Sequence, residues 1–223
     1  MNLLRPNSNS AMIFDMDGLL LDSLDNLSLC MTQTVKEFCQ SQEQLTNFVE
    51  YDLKNPGLSR FEKIDYFIDS MPIANHYNRD SLISEMLLKF DSYSLEARLN
   101  SRLDMSVFEL ENHFDPKRTV LLSNCDNQQL KSVVAHFGLH QVFRGGLVGT
   151  PPSKLERMKE ISQTFNKKVT WSVSDSESDA LIARELGLNF IFVQQFARDN
   201  AAWLASGELR YDNLKMLLND TGN

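Results

Sequence analysis

The stretch "AMIFDMDGLLLDS", Ala11–Ser23, puts two aspartates one residue apart directly after an apolar run. A short apolar run without polar alternation predicts a strand that is buried on both faces. Gly18 allows the chain to turn tightly after that strand. The carboxylates of Asp15 and Asp17 therefore fall where a buried strand ends, which indicates chemistry rather than core packing.

Three later runs have the same character and predict further strands. They are "TVLLS" from Thr119, "VTWSV" from Val169 and "NFIFV" from Asn189. Segments with helical spacing lie between the runs, namely "NQQLKSVVAHFG", "PSKLERMKEISQTF" and "SESDALIAREL". Strands that alternate with helices predict an α/β fold with a parallel sheet core, covered on both faces by helices.

The long stretch between the first two of these strands contains no convincing strand of its own. Its apolar residues recur at helical spacing, as in Phe61, Ile64, Phe67 and Ile68. A segment of this size cannot be a loop inside a compact domain, so it predicts an inserted helical domain. We predict a core domain from residues 1–21 and 113–223, and a helical cap domain from residues 22–112.

The composition limits the function classes. The 223 residues are 42% hydrophobic and 23% charged, which is ordinary globular usage. The net charge of -8, without a dense Lys/Arg cluster, argues against nucleic acid or an anionic membrane as a partner. The sequence has three cysteines without metal-ligand spacing, no apolar run long enough for a membrane span and no signal peptide, which predicts a cytoplasmic protein. We expect a monomer or a homodimer.

Polar residues follow several of the predicted strands, where ligands bind in an open α/β sheet. The candidates are Asp15, Asp17, Ser123, Asn124, Asp175, Asp179 and, at the start of a helix, Lys154. Four carboxylates in one crevice repel one another unless a cation lies among them, and hard oxygen ligands favour Mg²⁺. A lysine, a hydroxyl and the backbone N–H groups around Gly18 predict a site for a phosphoryl group.

This set of groups predicts a two-step phosphoryl transfer. Asp15 can attack the phosphorus and become an aspartyl-phosphate. Asp17 can protonate the leaving oxygen and then deprotonate the attacking water. The substrate would be a small phosphorylated metabolite.

Four stretches resemble the motifs of the haloacid dehalogenase superfamily, in its phosphatase and phosphomutase branch with a helical cap. They are "DMDGLLLDS", "LLSN", "PPSK" and "SDSESD", in the order of that family. The resemblance implies a Rossmann-like core with a helical cap inserted just after the first motif, similar to phosphoglycolate phosphatases and beta-phosphoglucomutases. The sequence departs from the family pattern at Ser174, where Gly is common, and in lacking the Lys-Pro-x-Pro form around Lys154.

The resemblance also implies roles for individual residues. Asp15 would be the nucleophile and Asp17 the general acid and base. Mg²⁺ would be bound by the Asp15 carboxylate, the Asp17 backbone carbonyl and Asp175.

Further roles concern the substrate. Ser123 and Lys154 would hold the phosphoryl oxygens, and Asn124 would position the nucleophile or the substrate. Asp179 would orient metal-bound water or assist as a ligand.

Two cations in the helical insert are candidates for substrate binding. Arg60 and Lys63 lie three residues apart on a predicted helix that Ser59 caps. They can bind a second anionic group of the substrate, such as a carboxylate, or belong to a solvated helix face.

The sequence predicts a Mg²⁺-dependent phosphatase that hydrolyses a sugar-like or acidic phosphomonoester, with the cap excluding bulk water. A phosphosugar mutase would use the same nucleophile, and a non-catalytic binding or regulatory module would keep the fold without turnover. A dehalogenase would not need Asp17, Asp175 or Asp179, whose presence argues against that activity.

Overall fold

The computed structural model describes residues 4–71, 78–198 and 201–221. The chain divides into two compact units. The core unit comprises Met1–Asp22 and Ser101–Asn223, and the helical unit comprises Ser23–Asn100.

The core unit is built on a six-stranded sheet, and a separate two-stranded ribbon accompanies it. In chain order the strands are β1 (Ala11–Phe14), β2 (Leu21–Asp22), β3 (Arg102–Leu103), β4 (Thr119–Leu122), β5 (Gly146–Val148), β6 (Thr170–Ser174), β7 (Asn189–Val193) and β8 (Leu209–Tyr211). The sheet has the order β5-β4-β1-β6-β7-β8, and all its pairs are parallel. β2 and β3 form the antiparallel ribbon.

The order of the strands locates the ligand-binding edge of this sheet. From β1 the chain moves outward to β4 and β5, and it then returns to the other side of β1 with β6. Every residue of β1, β4 and β6 is buried, as the apolar runs predict. The crevice at the carboxyl end of β1 is the topological switch point, where ligands bind in sheets of this kind.

The core unit contains helices at the three positions that the sequence predicts, and one more follows β8. Its helices are α5 (Asn127–Phe137), α6 (Lys154–Thr164), α7 (Glu177–Leu186) and α8 (Leu214–Asp220), which are numbered after the four helices of the helical unit. α5 and α7 end at Gly138 and Gly187, whose φ angles of 70° and 68° favour glycine. Met158 of α6 and Ala180 of α7 belong to the same buried apolar cluster as Ile13 of β1. The predicted α/β class, with a Rossmann-like parallel sheet, is confirmed.

The helical unit contains four α-helices in the described residues. They are α1 (Leu24–Lys36), α2 (Gln42–Lys54), α3 (Arg60–Asp69) and α4 (Arg79–Leu99). Residues from all four helices form one apolar cluster, including Met31, Phe48, Phe67 and Phe90. The inserted helical domain is therefore confirmed, and its core follows the predicted periodicity. None of the helices in the described ranges is both long and apolar enough to cross a membrane.

The segment 101–112 is grouped differently from the prediction, which assigned it to the insert. In the structure it belongs to the core unit. Leu103 of β3 pairs with Leu21 of β2, and the 3-10 helix Met105–Asn112 contacts α8 through an ion pair between Glu109 and Lys215. A two-residue strand has no periodicity to read, so the sequence gives no signal for this boundary.

Candidate active site

Three adjacent strands end at the same edge of the sheet, and a predicted site residue follows each of them. Asp15 follows β1, Ser123 follows β4 and Asp175 follows β6. Phe14, the last residue of β1, pairs in register with Leu121 of β4 and with Val173 of β6. The parallel register therefore brings these three positions to one edge.

Lys154 lies at the centre of this edge. It is the first residue of α6, and Ser153 caps the helix in a capping box with Glu156. The Lys154 side chain is 7% exposed, and its Nζ lies 2.9 Å from Asp15 Oδ1 and 2.7 Å from Asp179 Oδ2. The lysine thus reaches the first-strand aspartate without the Lys-Pro-x-Pro form of its loop.

Both oxygens of the Asp15 carboxylate are held by neighbouring groups. Oδ1 accepts the N–H of Met16 at 2.8 Å in addition to the Lys154 contact. Oδ2 accepts the Ser174 hydroxyl at 3.4 Å, and the Asp15 N–H donates to Val173 O at 3.0 Å. The carboxylate is therefore oriented before any ligand arrives.

The turn after β1 uses a glycine because it packs directly against Asp175. Gly18 has a φ of 83°, and a Cβ at this position would lie 2.3 Å from Asp175 Oδ2. Its N–H donates to Leu21 O at 2.9 Å, so this amide belongs to the turn. Asp17, half-buried, forms a bridge to Leu21 in the same turn.

Asp179 is buried in the first turn of α7. Ser176 caps that helix and accepts the Asp179 N–H at 3.3 Å. Asp179 Oδ2 accepts from Lys154, whereas Oδ1 is buried without a hydrogen-bond partner among the described residues. Lys154 therefore donates the hydrogen bond that this carboxylate receives from the described side chains.

Three buried or nearly buried carboxyl groups, those of Asp15, Asp175 and Asp179, lie near one lysine. Burial and the neighbouring charges shift the pKa values of this cluster. Burial raises the pKa of Asp15 to about 7, although Lys154 lowers it, and Asp179 and Asp17 raise it further. Burial, together with the charges of Asp15 and Asp179, raises the pKa of Asp175 well above its usual range. Burial alone would lower the pKa of Lys154, but Asp15 and Asp179 outweigh this and raise it. The edge therefore disfavours the simultaneous ionisation of all these carboxyl groups.

The donor set fits a hard divalent cation. The described residues contain no cluster of three His, Cys, Asp or Glu side chains arranged to hold a metal. The implied set instead combines the carboxylates of Asp15 and Asp175 with the backbone carbonyl of Asp17, and Mg²⁺ completes such a set with water and phosphate oxygens. The raised pKa values of these two carboxyl groups indicate that an added positive charge would be stabilised there.

Ser123 and Asn124 are connected to a neighbouring loop. Ser123 is fully buried, its N–H donates to Val148 O at 3.0 Å, and its Oγ accepts the N–H of Cys125 at 3.2 Å. The carbonyl of Asn124 accepts the Thr150 hydroxyl at 2.8 Å. The turn after β4 is thereby joined to the loop that precedes Lys154.

Arg60 and Lys63 both form ion pairs inside the helical unit. Arg60 is 6% exposed, and its Nε lies 3.3 Å from Asp91 Oδ1. Lys63 Nζ lies 2.7 Å from Asp52 Oδ1, and the Asp52 side chain is fully buried. Neither cation belongs to a solvated helix face, and each already has a carboxylate partner.

Sequence reasoning missed three residues that contact the predicted site residues or their loop. Ser174 touches Asp15, Thr150 contacts the Asn124 carbonyl, and Arg157 contacts the loop before Lys154. Ser174 stood out as a departure from the family motif, but its contact with Asp15 depends on strand register. Thr150 and Arg157 act on backbone carbonyls, for which the sequence contains no signal.

Several solved structures resemble this chain in fold. No family model and no curated protein matches the sequence. Among solved structures, a haloacid dehalogenase-like hydrolase from Streptococcus pneumoniae superimposes with a TM-score of 0.67 at 19% identity, covering 96% of this chain and 99% of the other. A predicted phosphoglycolate phosphatase from Haemophilus somnus gives 0.67 at 18% identity, with 96% and 98% covered. A protein from Thermotoga maritima described as a beta-phosphoglucomutase gives 0.61 at 16% identity, with 95% and 97% covered.

These matches cover nearly the whole chain. Because the sequence identities are low, they establish the fold alone. The chain has the fold of the haloacid dehalogenase-like hydrolases, a Rossmann-like core with an inserted helical cap. The predicted resemblance is confirmed at the level of the fold. The reaction must be argued from the site itself.

Proposed function

We propose that this protein is a Mg²⁺-dependent phosphomonoesterase that acts on a small sugar-like or acidic metabolite through an aspartyl-phosphate on Asp15. The observation that carries the proposal is the buried contact of 2.9 Å between the Asp15 carboxylate and Lys154. It lies at the switch point of the sheet, beside two further buried carboxylates, Asp175 and Asp179. A pre-oriented carboxylate next to a fixed ammonium suits attack on a phosphoryl group.

The proposed reaction has two steps. In the first, an Asp15 carboxylate oxygen forms a bond to phosphorus while the bond from phosphorus to the substrate oxygen breaks, and Asp17 donates a proton to that oxygen. In the second, Asp17 accepts a proton from water while the water oxygen bonds to phosphorus. The bond between phosphorus and the Asp15 oxygen breaks, which restores the Asp15 carboxylate and yields inorganic phosphate. Lys154 would neutralise charge on the phosphoryl oxygens throughout.

The Asp15 and Asp175 carboxylates and the Asp17 backbone carbonyl would hold the metal ion. When bound, Mg²⁺ supplies positive charge that screens the phosphoryl group from the surrounding carboxylates. Ser123 and Asn124 would contact the phosphoryl group from the end of β4. Asp179 would orient Lys154, with which it pairs at 2.7 Å.

Two other functions remain as alternatives. A phosphosugar mutase would form the same aspartyl-phosphate and return the phosphoryl group to a sugar, and the structural likeness to a protein described as a beta-phosphoglucomutase favours testing it. A binding or regulatory module would retain the fold without turnover. The oriented carboxylate–lysine pair favours the catalytic functions over this module.

The decisive experiment measures phosphate release from sugar phosphates, phosphoglycolate, nucleotides and an aryl phosphate, with and without Mg²⁺. We expect release that requires Mg²⁺ and disappears in Asp15→Asn. Asp115→Asn is the matched control, because the Asp115 side chain caps the 3-10 helix Pro116–Arg118. Conversion of a sugar phosphate to its isomer without net phosphate release would replace the phosphatase by the mutase. Absence of both activities would leave the non-catalytic module.

A further inference from the structure

Thr150 connects the turn that contains Ser123 to the loop that leads into Lys154. It lies four residues before Lys154 and is 2% exposed. Its hydroxyl donates to the backbone carbonyl of Asn124 at 2.8 Å, and its N–H donates to the carbonyl of Cys125 at 2.9 Å. The N–H of Cys125 in turn donates to Ser123 Oγ at 3.2 Å. One residue thus makes two hydrogen bonds to the turn that sets the position of the Ser123 hydroxyl.

The Thr150 loop is also attached to the helix that carries the lysine. Arg157 of α6 donates from Nε to Gly149 O at 3.2 Å and from Nη2 to Pro151 O at 2.8 Å, so it contacts the residue on either side of Thr150. A Cβ on Gly149 would lie 2.6 Å from the carbonyl oxygen of Cys125, which shows that the two backbones touch. The loop cannot shift without moving either the turn or the start of α6.

We propose that Thr150 is a positioning residue that fixes the Ser123–Asn124 turn relative to Lys154. This inference rests on the proposed function, in which the Ser123 hydroxyl and the Lys154 ammonium contact oxygens of the same phosphoryl group. A ligand that must contact both groups binds more weakly when the distance between them varies, because it can then contact only one of them well. The hydroxyl of Thr150 supplies the side-chain part of this connection.

The test compares Thr150→Val, which keeps the shape and loses the hydroxyl donor, with Thr150→Ser, which keeps the donor. The measurements are kcat/KM for an aryl phosphate and the inhibition constant of inorganic phosphate, both with Mg²⁺. For Thr150→Val we expect kcat/KM to fall and the inhibition constant to rise by about tenfold, since the Asn124 carbonyl loses the hydroxyl that donates to it and the turn is released. Thr150→Ser should stay within about threefold of the wild type.

Thr170→Val is the matched control for a general loss of stability. Thr170 is fully buried, its hydroxyl donates to the carbonyl of Asn166 at 2.9 Å, and it begins β6 at the end of the strand away from Asp175. We expect this variant to be destabilised in thermal unfolding without a change in the inhibition constant. Equal values for Thr150→Val and the wild type would overturn the inference, and so would an equal change in Thr170→Val or a failure of Thr150→Ser to restore binding.

Phosphate release and phosphate binding together distinguish a failure of this inference from a failure of the proposed function. If the wild type releases no phosphate from any substrate, the phosphatase proposal fails, and direct binding of inorganic phosphate by calorimetry still tests Thr150. Weaker phosphate binding in Thr150→Val then supports the positioning role without turnover. Absence of phosphate binding by the wild type would overturn both.

Discussion

Each unit of the molecule buries a lysine–aspartate pair, and the two pairs differ in the charge around them. In the helical unit, Lys63 lies 2.7 Å from Asp52, and the second Asp52 oxygen accepts the hydroxyl of Ser28. In the core unit, Lys154 lies 2.7 Å from Asp179 and 2.9 Å from Asp15. The first pair matches one charge with one charge, whereas the second lysine faces two carboxylates.

The difference indicates which pair serves structure and which serves a ligand. The charges of a balanced buried pair already neutralise each other, so this pair links α1, α2 and α3 without needing a further charge. The core cluster also includes Asp175, and burial raises the pKa of Asp15 to about 7. Ionising all of these buried carboxyl groups together is costly unless a cation is bound, and this supports the metal and phosphate site that we propose.

Among the variants that test this comparison, the largest effect is expected from removing the lysine of the unbalanced cluster, which consists of Lys154, Asp15, Asp175 and Asp179. Lys154→Met keeps most of the side-chain length and leaves Asp15 and Asp179 without their cation. We expect kcat/KM for an aryl phosphate to fall by about 10³-fold, which is the scale for losing one positioned electrostatic group in an active site. Steady-state kinetics with Mg²⁺ measure this effect.

The control for this variant lies on the same helix. Lys159 is an exposed residue of α6, so Lys159→Met removes a positive charge without touching the carboxylates. It should keep nearly wild-type kinetics. A Lys154→Met enzyme that retains more than about a tenth of wild-type kcat/KM would show that the lysine is not needed for phosphoryl transfer.

The second-largest effect is a loss of protein stability when the balanced pair of Lys63 and Asp52 is broken. Lys63→Met leaves the fully buried Asp52 carboxylate without its cation. We expect the free energy of unfolding to fall by about 3 kcal/mol, because an unpaired buried charge remains. Urea unfolding measures the change, and the double variant Lys63→Met with Asp52→Leu should recover part of it.

Lys89→Met provides the surface comparison for that experiment. Lys89 pairs with Glu37 at 2.6 Å, but both side chains are substantially exposed, so little stability should be lost. An equally small loss in Lys63→Met would mean that the buried pair is not structural. A large loss of kcat/KM in folded Lys63→Met would instead return this residue to the substrate-binding role that the sequence suggested.

The sequence predicted the candidate site at the sheet edge better than it predicted the partners of Arg60 and Lys63. Asp15, Ser123 and Asp175 lie together because three buried apolar strands are parallel and in register, and both features follow from local patterns. The pairings of Arg60 and Lys63 depend on how separate helices pack, which a single helix period does not encode.

Elements without a pattern of their own were also missed. β5 and β8 have three residues each, too few for a reliable apolar run. β3 has two residues, so the return of the chain to the core unit at Ser101 could not be located. The Thr150 contact runs from a side chain to a backbone carbonyl in another loop, and such contacts become visible only once the fold is known.

The smallest of the expected effects tests how closely the unbalanced cluster is packed. Gly18→Ala would place a Cβ 2.3 Å from Asp175 Oδ2, so this carboxylate must move. We expect the Mg²⁺ concentration needed for half-maximal activity to rise by about tenfold, as displaced ligand geometry weakens metal binding. Activity measured over a series of Mg²⁺ concentrations gives this value.

Backbone strain must be separated from the displacement of Asp175. Gly138 also has a positive φ, 70°, but nothing lies within 4 Å of its added Cβ. Gly138→Ala should therefore cost about 1 kcal/mol of stability, through strain alone, and leave the Mg²⁺ dependence unchanged. If Gly18→Ala behaves in the same way, the carboxylate of Asp175 adapts freely, and the contact with Gly18 does not set the metal affinity. If only Gly18→Ala weakens Mg²⁺ activation, the glycine is required because the metal-binding carboxylate occupies the space of its side chain.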